Sequence, residues 1–181
     1  MEKTDPELIA AALEGDTGAF DALMRRYEKL VYRVAHGFTH GREDALDLTQ
    51  ISFLKAFRSL DGYRSEAGFK TWLLRIVYHE GLNWNRTRSR RGSESDLAEA
   101  EAGLAVDPSQ ERELVERERR GTIGRALSRI HARYRAAILL RYVDEMPIRE
   151  IATVLDCSET MTKNLLFRGV RQLRRAVESG A

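Results

Sequence analysis

Apolar residues along the first ninety positions recur every three or four residues, which is the spacing of an amphipathic helix. The alternation typical of strands is absent. Capping residues indicate helix starts at Thr4, which precedes Pro6, and at Asp16. The second of these helices, predicted to end near His36, has one apolar stripe made of Phe20, Leu23, Met24, Tyr27, Val31 and Val34. The pattern predicts four or five helices around one core.

Residues 43–60 form the next predicted helix, and two of its faces differ in character. Asp44, Asp47 and Gln50 are three apart and share a polar, acidic face. The predicted buried stripe consists of Leu46, Ile51, Leu54 and Phe57, with Leu48, Phe53 and Leu60 placed less regularly. An acidic helix face of this kind suits a basic protein partner.

A turn-rich break at residues 61–68 separates this helix from a basic one that runs toward residue 91. The second helix has a predicted buried stripe of Phe69, Trp72, Leu73, Ile76 and Val77. Its other side carries Lys70, Arg75, Asn83 and Arg86 and continues into an arginine cluster at 86–91. Cations beside aromatic rings suit unstacked nucleic acid, because bases stack on rings while cations follow phosphates.

Composition changes after residue 91. Six acidic residues and no basic one lie between positions 93 and 111, and apolar periodicity fades there. We therefore predict two small helical domains, at 1–91 and 113–181, joined by an acidic linker at 92–112. The linker is either a solvated spacer or an acidic strand that occupies a basic channel of a partner.

The second predicted domain contains a helix-turn-helix pattern. A short helix with apolar Ile148, Ile151, Ala152 and Leu155 is followed by a tight connection at 156–158 and a longer basic helix. Asp156 lies where the turn needs left-handed backbone, which Asp tolerates better than most residues. Ser158 is a predicted cap, and the final helix has a predicted buried stripe of Leu166, Val170, Leu173 and Val177. Its exposed ridges can hold phosphates and reach base edges through Lys163, Asn164, Phe167, Arg168, Arg171, Arg174 and Arg175.

Composition and motifs argue against several function classes. The 181 residues carry a formal net charge of +2. The sequence contains neither a signal peptide nor a run of the roughly 18 apolar residues that a membrane span needs. We therefore expect a cytoplasmic protein without membrane insertion, and the single Cys157 permits no intrachain disulfide. His36 and His40 are four apart, but Gly37 and Gly41 indicate a loop. Nucleotide-binding glycine motifs are absent, so we expect neither metal nor cofactor, and no enzymatic activity.

Two stretches resemble the bacterial RNA polymerase sigma factors. EDALDLTQISFLKAFRSLDGYRSEAGFKTWLLRI, at 43–76, is similar to sigma region 2, and RYRAAILLRYVDEMPIREIATVLDCSE, at 133–159, is similar to region 4. The two occur in this order with only the acidic linker between them, which resembles the extracytoplasmic-function (ECF) subgroup. The resemblance implies an alternative sigma factor that binds core polymerase and promoter DNA, with an anti-sigma factor as a further partner.

The resemblance also implies roles for particular residues. It assigns polymerase binding to Asp44, Asp47, Leu48, Gln50, Phe53 and Leu54. It assigns binding of the melted −10 element to Tyr63, Arg64, Ser65, Phe69, Lys70, Arg75, His79, Asn83 and Arg86. Reading of the duplex −35 element falls on Ser158, Lys163, Asn164, Phe167, Arg168 and Arg171. The linker corresponds to the family segment that threads toward the polymerase active site.

Some positions depart from the family pattern, and two other functions remain open. The departures are His79, where Asn is common, Leu165, where Arg is frequent, and the segments 51–52 and 160–162. A stand-alone helix-turn-helix regulator that binds duplex DNA as a dimer explains 113–177 but leaves 43–91 without a role. An RNA-binding adaptor that uses the arginine cluster at 86–91 is the third possibility.

Overall fold

The computed structural model describes residues 3–39, 41–90 and 122–179, and every regular element in these ranges is helical. The first part contains α1 (Asp5–Leu13), α2 (Thr17–His36), α3 (Arg42–Arg58) and α4 (Gly68–Arg90), with 3-10 turns at Leu60–Gly62 and Ser65–Ala67. The second contains helical residues 122–129 (α5), α6 (Ala132–Tyr142), α7 (Ile148–Leu155) and α8 (Glu159–Glu178). The all-α fold class is confirmed. The predicted acidic linker lies outside the described residues.

The helices begin at the capping residues that the sequence predicts. The Glu7 carboxylate accepts the Thr4 backbone N–H at 2.7 Å, and this hydrogen bond lowers the pKa of Glu7. Asp16 accepts the Ala19 N–H at 3.2 Å, which fixes the start of α2. In the second domain, Ser158 accepts the Met161 N–H at 3.1 Å and begins α8. Asp156 has φ 53° and ψ 51°, the left-handed conformation predicted for the turn.

The core of the first domain lies between α2, α3 and α4. The predicted stripe of α2 is buried at Phe20, Leu23, Val31 and Val34. On α4 the ring of Phe69 and the side chains of Leu73 and Val77 are buried as predicted, and Leu74 and Tyr78 join them. The fully buried ring of Phe38 packs edge-on against Tyr78 at a centroid distance of 5.8 Å and also contacts α4 at Gly81. These contacts fix α4 against the loop that precedes α3.

The predicted buried stripe of α3 is wrong at its four regularly spaced positions, whereas its less regular members Leu48, Phe53 and Leu60 are buried. The residues at those four positions, Leu46, Ile51, Leu54 and Phe57, are between 41% and 50% exposed. The buried face instead consists of Ala45, Leu48, Thr49, Ser52, Phe53 and Ala56. The hydroxyls of Thr49 and Ser52 donate to backbone carbonyls of their own helix, each at 2.7 Å, so neither is left unsatisfied. Small residues on this face allow neighbouring helices to approach closely, and the exposed surface of the helix carries Leu46, Ile51, Leu54 and Phe57.

The second domain packs directly on the first through α7. This helix lies between α8 and α4, which buries Val154 in addition to the predicted Ile151, Ala152 and Leu155. At the C-terminal end of α8, Val177 is 39% exposed, so the predicted stripe ends before that residue. Buried side chains of both domains form one continuous apolar cluster. The closed arrangement brings the helix-turn-helix motif against the basic helix of the first domain.

Candidate nucleic-acid and protein interfaces

The exposed face of α3 combines carboxylates with large apolar side chains. Asp47, Gln50 and Leu54 are exposed, as a docking role requires, and Asp44 is half-buried. Together with Ile51 and Trp84, the first three line a groove of about 360 Å³ between α3 and α4. Sequence reasoning missed Ile51, which it assigned to the core, and Trp84, which reaches the groove from another helix.

Two residues assigned to polymerase docking belong to the interior instead. Leu48 is fully buried and Phe53 is nearly so, and both pack in the core of the first domain. A buried side chain cannot touch a partner without unfolding its surroundings. We therefore exclude Leu48 and Phe53 from the docking face.

An aromatic cluster lies beneath the break between α3 and α4. The ring of Tyr63 packs edge-on against Phe69 and Trp72, with centroid distances of 5.8 and 5.3 Å. Phe69 is buried, so its assigned contact with DNA is wrong, whereas Tyr63 and Trp72 remain half-exposed. Burial raises the pKa of the Tyr63 phenol, and the nearby charge of Asp5 acts in the same direction. The phenol is thus neutral and able to stack on a base without repelling phosphate.

Four residues assigned to the −10 element share one face of α4. Arg75, His79, Asn83 and Arg86 follow at intervals of four, four and three residues, which places them above one another along the helix. Arg75, Asn83 and Arg86 are exposed, and His79 is half-buried beside Tyr78. At the start of this region Arg64 is exposed, Lys70 is half-buried, and Ser65 lies in the second 3-10 turn.

The residues assigned to the −35 element are all exposed on or before α8: Ser158, Lys163, Asn164, Phe167, Arg168 and Arg171. Phe167 is the most exposed large apolar residue of the described chain, at 68%. The Ser158 hydroxyl is engaged as the helix cap. Two departures from the family pattern point inward, because Thr162 is fully buried and Leu165 is nearly so. Thr162 Oγ1 donates to the Ser158 carbonyl at 3.1 Å, which satisfies the buried hydroxyl.

Charged contacts join the two domains. Arg33 forms an ion pair with Asp144, whose side chain is almost completely buried. Burial raises the pKa of Asp144, while the positive charges of Arg33 and Lys70 oppose that shift. Arg135 Nε donates to the Gly37 carbonyl, and burial lowers the pKa of Arg135 to about 10. Arg135 therefore remains charged at neutral pH.

Burial also affects the histidine at the end of α2. It lowers the pKa of His36, with the charge of Arg135 as a second cause. The other half of the histidine pair considered above, His40, lies outside the described residues. Within the described ranges no group of three or more His, Cys, Asp or Glu residues is arranged to hold a metal. In the same ranges no helix has the length and apolar content needed to cross a membrane.

Comparison with known proteins identifies the class. The family described as Sigma-70 region 2 matches residues 23–91, and the one described as Sigma-70, region 4 matches residues 120–173. The chain is 30% identical over 182 residues to the ECF RNA polymerase sigma-E factor of Salmonella typhimurium, covering 97% of this chain and 95% of the relative. It is 28% identical over 184 residues to the RNA polymerase sigma-H factor of Pseudomonas aeruginosa, covering 98% and 95%.

The chain belongs to the sigma-70 family. Within that family it is an alternative sigma factor of the ECF group, a subunit that gives core RNA polymerase its promoter specificity. These matches give no support to the stand-alone regulator.

Solved structures agree on the fold. The structure of CnrH in complex with the cytosolic domain of CnrY has a TM-score of 0.68 and 22% identity, covering 98% of this chain and 99% of CnrH. The sigma factor RpoE of Bartonella quintana, in complex with the anti-sigma factor NepR, has a TM-score of 0.67 and 22% identity, covering 90% and 98%.

Proposed function

We propose that three surfaces divide the work of promoter recognition. The groove of α3 and Trp84 docks on core RNA polymerase through Asp47, Gln50, Ile51 and Leu54. Tyr63, Trp72 and the exposed face of α4 hold the melted non-template strand of the −10 element. The exposed ridges of α8 read the −35 element as a duplex. The chain thereby performs no chemistry of its own, and polymerase in the cytoplasm supplies the catalysis.

The exposed apolar face of α3 carries the docking proposal. Four large apolar side chains on one helix, each at least 41% exposed, are unusual in a folded protein unless a partner covers them. Carboxylates at Asp44 and Asp47 flank them, so the matching partner surface is apolar and basic. A helix of the polymerase with lysine or arginine beside apolar residues meets both requirements.

Strand capture explains how promoter DNA opens without ATP. Bases that leave the duplex lose stacking, and stacking on Tyr63 and Trp72 returns about 1–3 kcal/mol per base. Arg75 and Arg86 on the same side of the first domain attract the phosphates between those bases. Binding energy that only the melted strand receives therefore shifts the equilibrium toward open DNA.

Duplex reading rests on the geometry of α7 and α8. The turn at Asp156 sets α8 across α7, and the exposed Lys163, Asn164 and Arg168 follow within its first three turns. These side-chain types contact phosphates and the donor and acceptor edges of bases in a major groove. The Bartonella quintana neighbour is bound to an anti-sigma factor, and we extend that type of partner to this chain.

Binding to core polymerase is the first test. The purified chain, mixed with core polymerase that lacks its own sigma subunit, should co-elute from a sizing column at one-to-one stoichiometry. Run-off transcription on promoter fragments then identifies the DNA sequences read. A folded chain, free of any inhibitor, that elutes separately from polymerase would refute the docking surface and with it the proposed division of work.

Lys163→Ala should weaken binding to every promoter by about the same factor, because an ammonium group that contacts a phosphate carries no sequence information. Loss of one phosphate contact should also reduce the slope of log affinity against log salt by about one. Fluorescence anisotropy of the polymerase holoenzyme with several promoter duplexes at a series of salt concentrations measures both effects. The exposed Lys29 on α2 provides the control substitution, which should change neither quantity. Weakening confined to some sequences would show instead that Lys163 reads bases.

A further inference from the structure

The first helix packs against the break that carries the aromatic cluster. Helix α1 contacts the 3-10 turn Leu60–Gly62, which leads directly into Tyr63. Leu8 and Ile9 of α1 are buried in the core of the first domain, and so is the Leu60 side chain of the turn. Helix α1 therefore lies beside the segment whose Tyr63 is assigned to the melted strand.

Asp5, the first residue of α1, holds two side chains of α2. Its carboxylate accepts hydrogen bonds from the Tyr27 hydroxyl and from Arg26 Nη1. Arg26 Nη2 also donates to the Lys3 carbonyl at 2.6 Å, so the same guanidinium fixes the segment just before the helix. The side chains of Asp5 and Arg26 are only 23% and 26% exposed. Their ion pair is therefore screened less by water than a pair on the open surface.

Ring contacts connect this hydrogen bond to the stacking surface. The Tyr27 ring lies against Phe69 at a centroid distance of 5.6 Å. Phe69 in turn contacts Trp72 at 5.5 Å and Tyr63 at 5.8 Å. Burial raises the pKa of Tyr27, and the hydrogen bond to Asp5 raises it further, so Tyr27 keeps the proton that it donates. The charge of Asp5 also helps to raise the pKa of Tyr63, which places the carboxylate near both ends of this series of rings.

We propose that Asp5 is a positioning residue for strand capture. Through Tyr27 it holds the half-exposed rings of Tyr63 and Trp72 in the orientation that stacks on unpaired bases. The inference rests on the proposed stacking role of these two rings. A binding group must be held within about 10–20° of its productive orientation, so a small rotation of a ring loses stacking even while the domain stays folded. Asp5 itself does not contact the strand, because Tyr27 and Arg26 occupy its carboxylate.

The donor and the acceptor of this hydrogen bond can be removed one at a time. Tyr27→Phe keeps the ring against Phe69 and deletes only the hydroxyl, whereas Asp5→Ala deletes the carboxylate. The matched control is Glu7→Ala, which removes the other carboxylate of the first turn of α1, whose hydrogen bonds go to Thr4. Asp5→Ala and Glu7→Ala change the net charge equally, so the long-range attraction of DNA changes equally in both.

Stacking is measured on the polymerase holoenzyme with a promoter fragment found by run-off transcription. Its −10 segment is left single-stranded and carries the fluorescent base 2-aminopurine at the position that Tyr63→Ala brightens most. Stacking quenches this base, so its intensity at saturating protein reports ring contact and is insensitive to a merely structural loss of stability.

Asp5→Ala and Tyr27→Phe should each brighten the bound 2-aminopurine. Each should also weaken binding of the fragment about fivefold, which is about 1 kcal/mol and the lower end for one stacked base. Because both act through one hydrogen bond, the double variant should weaken binding by clearly less than the product of the two factors. Glu7→Ala should change neither the fluorescence nor the affinity.

Each outcome decides the inference. Parent-like fluorescence in Tyr27→Phe, which keeps every carbon of the core, would overturn it. Equal effects of Asp5→Ala and Glu7→Ala would overturn it as well, because any weakening of α1 would then suffice. Losses that multiply fully in the double variant would show that the two residues act separately, and brightening with coupled losses supports the inference. Failure of the proposed stacking role is seen separately, as a Tyr63→Ala variant that brightens no position of the strand, and the inference would fall with it.

Discussion

The Leu54→Asp variant should fail to co-elute with core RNA polymerase at concentrations where the parent chain forms a complex. Leu54 is half-exposed in the groove between α3 and Trp84, where the proposed partner covers it. The partner would bury a carboxylate placed there. That carboxylate would lie beside the negative Asp47 and would have no counter-charge. We expect a loss of about 3 kcal/mol, or two orders of magnitude in affinity. Titration of labelled chain with core polymerase, followed by fluorescence anisotropy, measures the change.

Leu13→Asp is a closely matched control, since Leu13 is 54% exposed at the end of α1. The same substitution at that position should leave the affinity for polymerase unchanged. Both variants should keep the helicity of the parent, because neither removes a buried side chain. Parent-like binding by Leu54→Asp, or equal losses in the two variants, would contradict the assignment of the α3 groove to polymerase docking.

Helix starts and turns could be predicted because their causes are local. Asp16 and Ser158 each accept a backbone N–H three residues further on, and this preference is visible in any sequence window. The left-handed residue at 156 follows from the length of the turn between two amphipathic helices. The same local signals predicted the candidate recognition face on α8. Its lysine and arginine side chains are exposed as expected.

The orientation of α3 could not be predicted from periodicity. Both of its faces contain apolar residues, and large ones such as Leu54 and Phe57 dominate any count of hydrophobicity. The buried face is determined by how closely neighbouring helices approach, which favours Ala45 and Ala56. Leu48 and Phe53, which the resemblance assigned to polymerase docking, lie on this buried face. An exposed apolar stripe on a helix is itself the mark of a partner, and sequence alone does not separate it from a core stripe.

Packing between the domains could not be predicted from the sequence either. Val154 lies off the stripe of α7 and is buried because α7 is covered on two sides. Asp144 and Arg33 are 111 residues apart, and nothing in the local pattern around either predicts their pairing. Such contacts depend on how two finished domains fit together.

Gly81→Ala should destabilise the first domain by about 2–3 kcal/mol, although alanine favours helices over glycine by about 1 kcal/mol. A Cβ at position 81 would lie 2.7 Å from Cδ1 of Phe38 and closer still to Cγ and Cδ2. The Phe38 ring is fully buried against Tyr78, so it cannot move aside without opening the core. Thermal unfolding followed by circular dichroism should show a midpoint lowered by about 5–10 °C.

The clash at Gly81 can be separated from the helix preference of alanine. Gly124→Ala lies in helical residues 122–129 with nothing within 4 Å of the added carbon, so it should raise the midpoint slightly. Phe38→Leu removes the ring that the new methyl group meets. Combined with Gly81→Ala, it should cost at least about 1 kcal/mol less than the two single changes added together. Strict additivity would mean that the Phe38 ring does not limit how closely α4 approaches it.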